Sequence, residues 1–164
     1  MPRLPTAAAL LAATFLAGAA GAQQATVFGG MKADTKAPVE VAADGLAVDQ
    51  ANGSATFTGN VVITQGAMHL KAGTVKVVYG DGARSRISRL DASGGVTLVS
   101  GADAAEAKSA LYEVDAGTVT LSGDVTLTQG RNVLSGEKLV VNLKDGTARV
   151  EGRVRSVLQP GTAP

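Results

Sequence analysis

The sequence predicts an all-β fold, a sandwich, barrel or roll, on three observations. Apolar and polar residues alternate with a period of two over most of the chain, as in strands with one dry face. Glycine-rich turn signals such as "DQANGS", "YGDGA", "DASGG", "VDAGT" and "LKDGT" separate these runs at strand-length spacing. One strand unit is also written repeatedly along the chain.

The opening segment is "MPRLPTAAALLAATFLAGAAGAQQ". Arg3 supplies a positive start, and residues 6–20 form an apolar run too short for a comfortable membrane span. Ala20-Gly21-Ala22 fits a small-x-small cleavage site, so residues 1–22 read as a signal peptide and the exported chain is expected to begin at Gln23. Residues 23–37 are small and polar and are expected to be flexible, and residues 159–164 read as a tail. The domain between them, residues 38–158, holds all the repeats.

Strands follow in order. "PVEVAA" and "DGLAVD" alternate first. Next, "ATFTGNVVITQG" sets Phe57, Val61 and Ile63 on one face and Thr56, Thr58, Asn60, Val62 and Thr64 on the other. Residues 55–79 align without gaps to residues 119–143, with eight identities in 25 positions, among them Gly59 with Gly123 and Gln65 with Gln129. "SGGVTLVSG" and "ARVEGRV" are shorter copies. The Gly-x-Val unit thus recurs at Gly59, Gly94, Gly123 and Gly152, spaced by 35, 29 and 29 residues. Glycine weakens a strand. Gly59 and Gly123 count onto the apolar face, where a missing side chain is expected to let the sheet curve. "GADAAEAKSALYEVD" has helix-like alanines, but Ala110, Tyr112 and Val114 alternate, so a strand is expected from about residue 107.

Catalytic chemistry is not signalled. Cysteine is absent, which excludes disulfides and thiolate chemistry. The single histidine, His69, has no companion ligands in sequence and is expected to face solvent. "GADAAEAKS" lacks the glycine that a phosphate loop needs before its lysine, and no G-x-S-x-G is present. No cofactor, no metal and no enzymatic activity are expected. A net charge of +1 and 3% aromatics argue against nucleic acid as a partner. Two basic groups remain, Arg84, Arg86 and Arg89, and Arg149, Arg153 and Arg155. They suit a solvated face and strand-edge protection, or phosphate contact.

The stretch "APVEVAADGLAVDQANGSATFTGNVVITQGAMHLKAGTVKVVY" resembles the opening of the LptA/OstA-like family of periplasmic lipopolysaccharide transport proteins, and "YEVDAGTVTLSGDVTLTQGRNVLSGEKLVVNL" repeats the family unit. The resemblance spans residues 38–157. It implies a twisted open β-jellyroll of repeated antiparallel strands, a soluble periplasmic location, and lipopolysaccharide acyl chains carried in an apolar interior. It also implies head-to-tail assembly, with an LptC-like protein at the N-terminal edge and an LptD-like protein at the C-terminal edge. An LptC-like anchored component and a structural β-repeat protein without lipid share the same sequence features. By the alternation, the groove-lining residues are Val39, Val41, Phe57, Val61, Ile63, Leu70, Val75, Val77, Val96, Leu98, Tyr112, Val114, Leu121, Val125, Leu127 and Leu139.

Overall fold

The computed structural model describes residues 31–80 and 86–160. The expected leader and cleavage site, Arg84 and residues 161–164 lie outside them. The described residues form one antiparallel sheet of ten strands. In chain order these are β1 (Glu40–Ala42), β2 (Gly45–Asp49), β3 (Ser54–Gln65), β4 (Met68–Tyr79), β5 (Ile87–Ser100), β6 (Asp103–Glu113), β7 (Thr118–Gln129), β8 (Asn132–Asn142), β9 (Ala148–Glu151) and β10 (Arg155–Val157). Each strand pairs with the next from β3 to β8. At one edge β1 and β2 share β3 as partner, and at the other β9 and β10 share β8. The all-β, open, jellyroll-like expectation is borne out. The alanine-rich stretch is strand throughout, and it begins at Asp103 rather than near residue 107.

The long strands are interrupted midway, and the interruptions line up. Register shifts fall between Thr58 and Val61 of β3, Lys71 and Thr74 of β4, Ser93 and Val96 of β5, Glu106 and Ser109 of β6, and Ser122 and Val125 of β7. The Gly-x-Val copies sit on this line. Gly59, Gly94, Gly123 and Gly152 have φ of 77°, 80°, 86° and 77°. The residues after them, Asn60, Gly95, Asp124 and Arg153, are left-handed too, at 46°, 82°, 46° and 43°. Two successive left-handed residues with one extra residue in the strand make a bulge that turns the chain sharply. Positive φ also corrects the expected facing of the glycines. A side chain at Gly59 would meet Asp44, and one at Gly123 would meet Lys108, both outside the apolar core.

The bulge line divides the sheet into two leaves. Gln65 ends β3 in one leaf, and Tyr112 nears the end of β6 in the other. Three strand spacings, about 14 Å, separate β3 from β6 along the sheet. Yet the Tyr112 hydroxyl donates to Gln65 Oε1 at 2.7 Å. A flat sheet cannot make that bond, whereas a sheet folded over at the bulge line brings the leaves face to face. The core lies between them. The fold also explains the split edges: β2 and β9 belong to one leaf, β1 and β10 to the other.

Candidate functional site

The interior is built from rungs that cross the strands in register. In the first leaf one rung runs Leu46, Phe57, Val75, Ala92, Ala110, Leu121, Leu139, Val150. Beside it runs Val48, Ala55, Val77, Leu90, Tyr112, Val119, Val141, Ala148. The second leaf contributes Val41, Ile63, Leu70, Leu98, Ala105, Leu127 and Leu134. The result is a continuous apolar band perpendicular to the strands and parallel to the roll axis. Its chemistry favours hydrocarbon, at about 25 cal/mol per Å² of apolar surface removed from water.

Twelve of the sixteen residues that alternation turned inward are buried in this core, and Val39, Val41, Phe57 and Val114 are half-buried against it. Sequence reasoning passed over Met68, Ala72, Leu90, Ala105 and Val141, all buried as well. In β4 the inward set is Met68, Leu70 and Ala72 before Gly73, then Val75 and Val77 after it. The register shift there reverses the parity, so a single period-2 count over the strand misses half of it. Small residues were overlooked because an alanine rung looks like weak patterning until its neighbours are known.

At one end the band is uncovered: Leu46 and Val48 of β2 are 58% and 63% exposed. Val154, Val157 and Leu158 are exposed at the opposite edge. The free margins of the two leaves form a seam, and in the second leaf that margin carries polar Gln65, Ser100, Asp103 and Gln129, with buried Met68 between the first two. Gln65 is 1% exposed. Burial raises the Tyr112 hydroxyl pKa above its ordinary value.

Residues 31–37 lie along the seam and bridge it. The Ala33 amide donates to Leu143 O at 3.1 Å on the first leaf. On the second, Ser100 Oγ donates to Lys32 O at 2.9 Å, and Gln65 Nε2 donates to Thr35 O at 3.3 Å and Ala37 O at 3.0 Å. Met31 is in the core at 1% exposure. This part of the segment expected to be flexible is thus set down on the sheet, because two buried polar side chains and one apolar anchor hold it. A cavity of about 550 Å³ opens beside it, floored by Val39, Ile87 and Val114 and rimmed by Lys36, Arg86 and Lys144. That volume is within the range of small-molecule sites.

Among the described basic residues, Arg153 and Arg155 line one surface hollow with Asp124 and Glu137. Arg86 pairs with Asp115, Arg89 with Asp91 at 3.2 Å, and Arg153 with Glu137 at 3.2 Å, all on the surface. His69 is exposed beside Thr64. Among the described residues no three His, Asp or Glu side chains come together as metal ligands, and no helix is long and apolar enough to cross a membrane.

The family model for LptA/(LptD N-terminal domain) LPS transport proteins matches residues 40–147. The chain belongs to this family. An uncharacterised protein of Rhizobium meliloti (strain 1021) is 34% identical over 165 residues, covering 94% of this chain and 89% of its own. The fold is shared with LptH, the LptA-homologous periplasmic component of the lipopolysaccharide transport device of Pseudomonas aeruginosa. That crystal structure superposes with a TM-score of 0.69 at 23% identity, over 78% of this chain and 99% of LptH. The LptA/OstA resemblance read from "ATFTGNVVITQG" and its copies is borne out. Membership makes the protein a component of lipopolysaccharide transport.

Proposed function

We propose that the protein is a soluble periplasmic carrier that holds lipopolysaccharide acyl chains between its two leaves and passes them along a bridge from the inner to the outer membrane. The observation that carries this reading is the band of in-register apolar rungs running from β2 to β9. Exposing acyl chain to water costs about 0.8 kcal/mol per methylene, so a chain of about twelve methylenes costs roughly 10 kcal/mol. A lipid with several such chains needs an apolar path with no deep trap along it. Repeated Val, Leu and Ala rungs provide near-equivalent positions, and no bond is made or broken in moving between them. The role is therefore that of a conduit and not of an enzyme.

The uncovered end at Leu46 and Val48 supports continuation of the band into a neighbour. In this reading β1 and β2 meet an LptC-like protein or the C-terminal edge of a second copy. The edge at β9 and β10 meets the next copy or an LptD-like protein, and the assembly grows head to tail.

Photo-crosslinking tests the interior directly. A photoreactive residue at Ile63, which is 1% exposed within the core, is expected to capture lipopolysaccharide in cells. The same residue at Val62, which lines a separate surface hollow with Lys71 and Thr97, is expected not to. Equal capture at the two positions would sink the interior path.

A further inference from the structure

The strap at residues 31–37 differs from the strands it lies on. It alternates like a strand, with residues 31, 33, 35 and 37 turned toward the core and Lys32, Asp34 and Lys36 exposed. Yet it joins no sheet. A paired strand has main-chain bonds along its length, whereas the strap has one such bond to a leaf, from Ala33 to Leu143. The rest of its hold is two side chains, Ser100 and Gln65, and the buried Met31 side chain. Segments with few main-chain bonds and few buried groups open at low free energy while the core stays folded. The strap also abuts unfilled space: Thr35, Lys36 and Ala37 form one wall of the cavity floored by Val39, Ile87 and Val114. Lifting it would join that cavity to the volume of Met31 and open the seam between the leaves along the apolar band.

We propose that residues 31–37 are a displaceable strap that closes the seam and occupies, through Met31, interior volume that an acyl chain takes when the strap lifts. The proposal rests on the reading of the interior as an acyl-chain site. Met31 is an unbranched apolar side chain and imitates a short length of hydrocarbon, so strap and ligand compete for one place. The strap's carbonyls at Lys32, Thr35 and Ala37 accept bonds that water can replace once it lifts, so opening strands no polar group on the strap. Gln65 and Ser100 are then freed at the rim, which Gln65 shares with Lys144, and this suits the polar, anionic end of an amphiphile whose chain lies inside. Apparent affinity is reduced by the fraction of molecules with the strap closed.

A cysteine pair tests this in a chain that has no cysteine of its own. A Cβ at Gly66 would lie 3.5 Å from Asp34 Cβ, within the range that a disulfide spans. The double variant Asp34→Cys/Gly66→Cys is titrated with dansyl-labelled undecanoic acid, oxidised and after reduction, so that any strain from the substitutions is common to both states. Oxidation is expected to weaken binding about tenfold or more, with recovery on reduction. In the otherwise unaltered protein, Met31→Ala loosens the strap and is expected to tighten binding several-fold. Equal binding by the oxidised and reduced forms, or unchanged affinity in Met31→Ala, would overturn the strap while leaving the acyl-chain site standing. If neither the unaltered protein nor the reduced variant binds the probe, the acyl-chain site falls and the strap with it.

Discussion

The bulge line and the seam bound the same interior on opposite sides, and they are held by different means. Along the bulge line the chain is continuous and the bend is written into backbone conformation, copy after copy, at Gly59, Gly94, Gly123 and Gly152. Along the seam the leaves are joined by a few side-chain bonds: those of Gln65 and Ser100 to the strap, and the direct one from the Tyr112 hydroxyl to Gln65. A redundant, covalently continuous hinge cannot open without unfolding strands. A seam held by a few side-chain bonds can open while the sheet persists. The difference places rigidity on one side of the apolar interior and the freedom to open on the other.

The largest effect is expected from attacking the bend. Valine at Gly59 or Gly123 forces a β-branched residue into a left-handed conformation and drives its Cβ to 2.7 Å from Asp44 Oδ2 or 2.9 Å from Lys108 Cβ. Each substitution should cost about 2 kcal/mol. The sites lie on β3 and β7, four strand spacings or about 19 Å apart, so the double variant should lose roughly 4 kcal/mol. Urea denaturation measures it, and a double variant as stable as the parent would show that the bend does not depend on these glycines.

A smaller and more local effect is expected at the seam. Gln65→Ala removes both bonds to the strap and leaves the Tyr112 hydroxyl unpaired, at a cost of about 1–3 kcal/mol. Hydrogen exchange should show the Ala33 amide losing protection while amides of β5 and β6 keep theirs. Uniform loss across the sheet would mean that strap and leaves open together, and the contrast between hinge and seam would fail.

The smallest effect at neutral pH is expected from Tyr112→Phe, about 1 kcal/mol for one hydrogen bond, and its signature is in pH. Burial holds the Tyr112 pKa above 10.0, so the folded protein keeps a proton that the unfolded chain releases. Stability present below about pH 10 is therefore lost as pH rises from there through the folded pKa. Thermal unfolding at pH 9 and pH 11 should show less alkaline loss in Tyr112→Phe than in the parent. An identical loss would remove Tyr112 from the account of the seam.

The hinge was legible in the sequence and the seam was not, for one physical reason. A bulge is local: glycine followed by Asn, Gly or Asp announces two left-handed residues, and repetition marks it as architecture. What the local pattern missed was the direction of the absent side chains, because a positive φ reverses the facing that simple counting assigns. Gln65 and Gln129 show the limit better. They occupy equivalent places in "VVITQG" and "VTLTQG", and the sequence treats them alike. In the structure Gln65 holds the strap and Tyr112, whereas Gln129 donates to Asp103 at 2.8 Å. The distinction comes from a segment about thirty residues upstream that no periodicity connects to either glutamine. The inward faces of β3 and β7, by contrast, were readable because their bulges leave the parity of alternation intact.

The spacing of the Gly-x-Val units sets how such a molecule can change size. From Gly94 to Gly123, and again from Gly123 to Gly152, 29 residues carry the chain round two turns and back to the bend two strands further on. Each hairpin adds two strands, or about 9.5 Å of roll, and leaves the cross-section as it was. Length and bore are therefore independent quantities. Duplicating or deleting a hairpin would alter reach in steps of about 9.5 Å, while the thickness of the lumen would answer only to which side chains form the rungs.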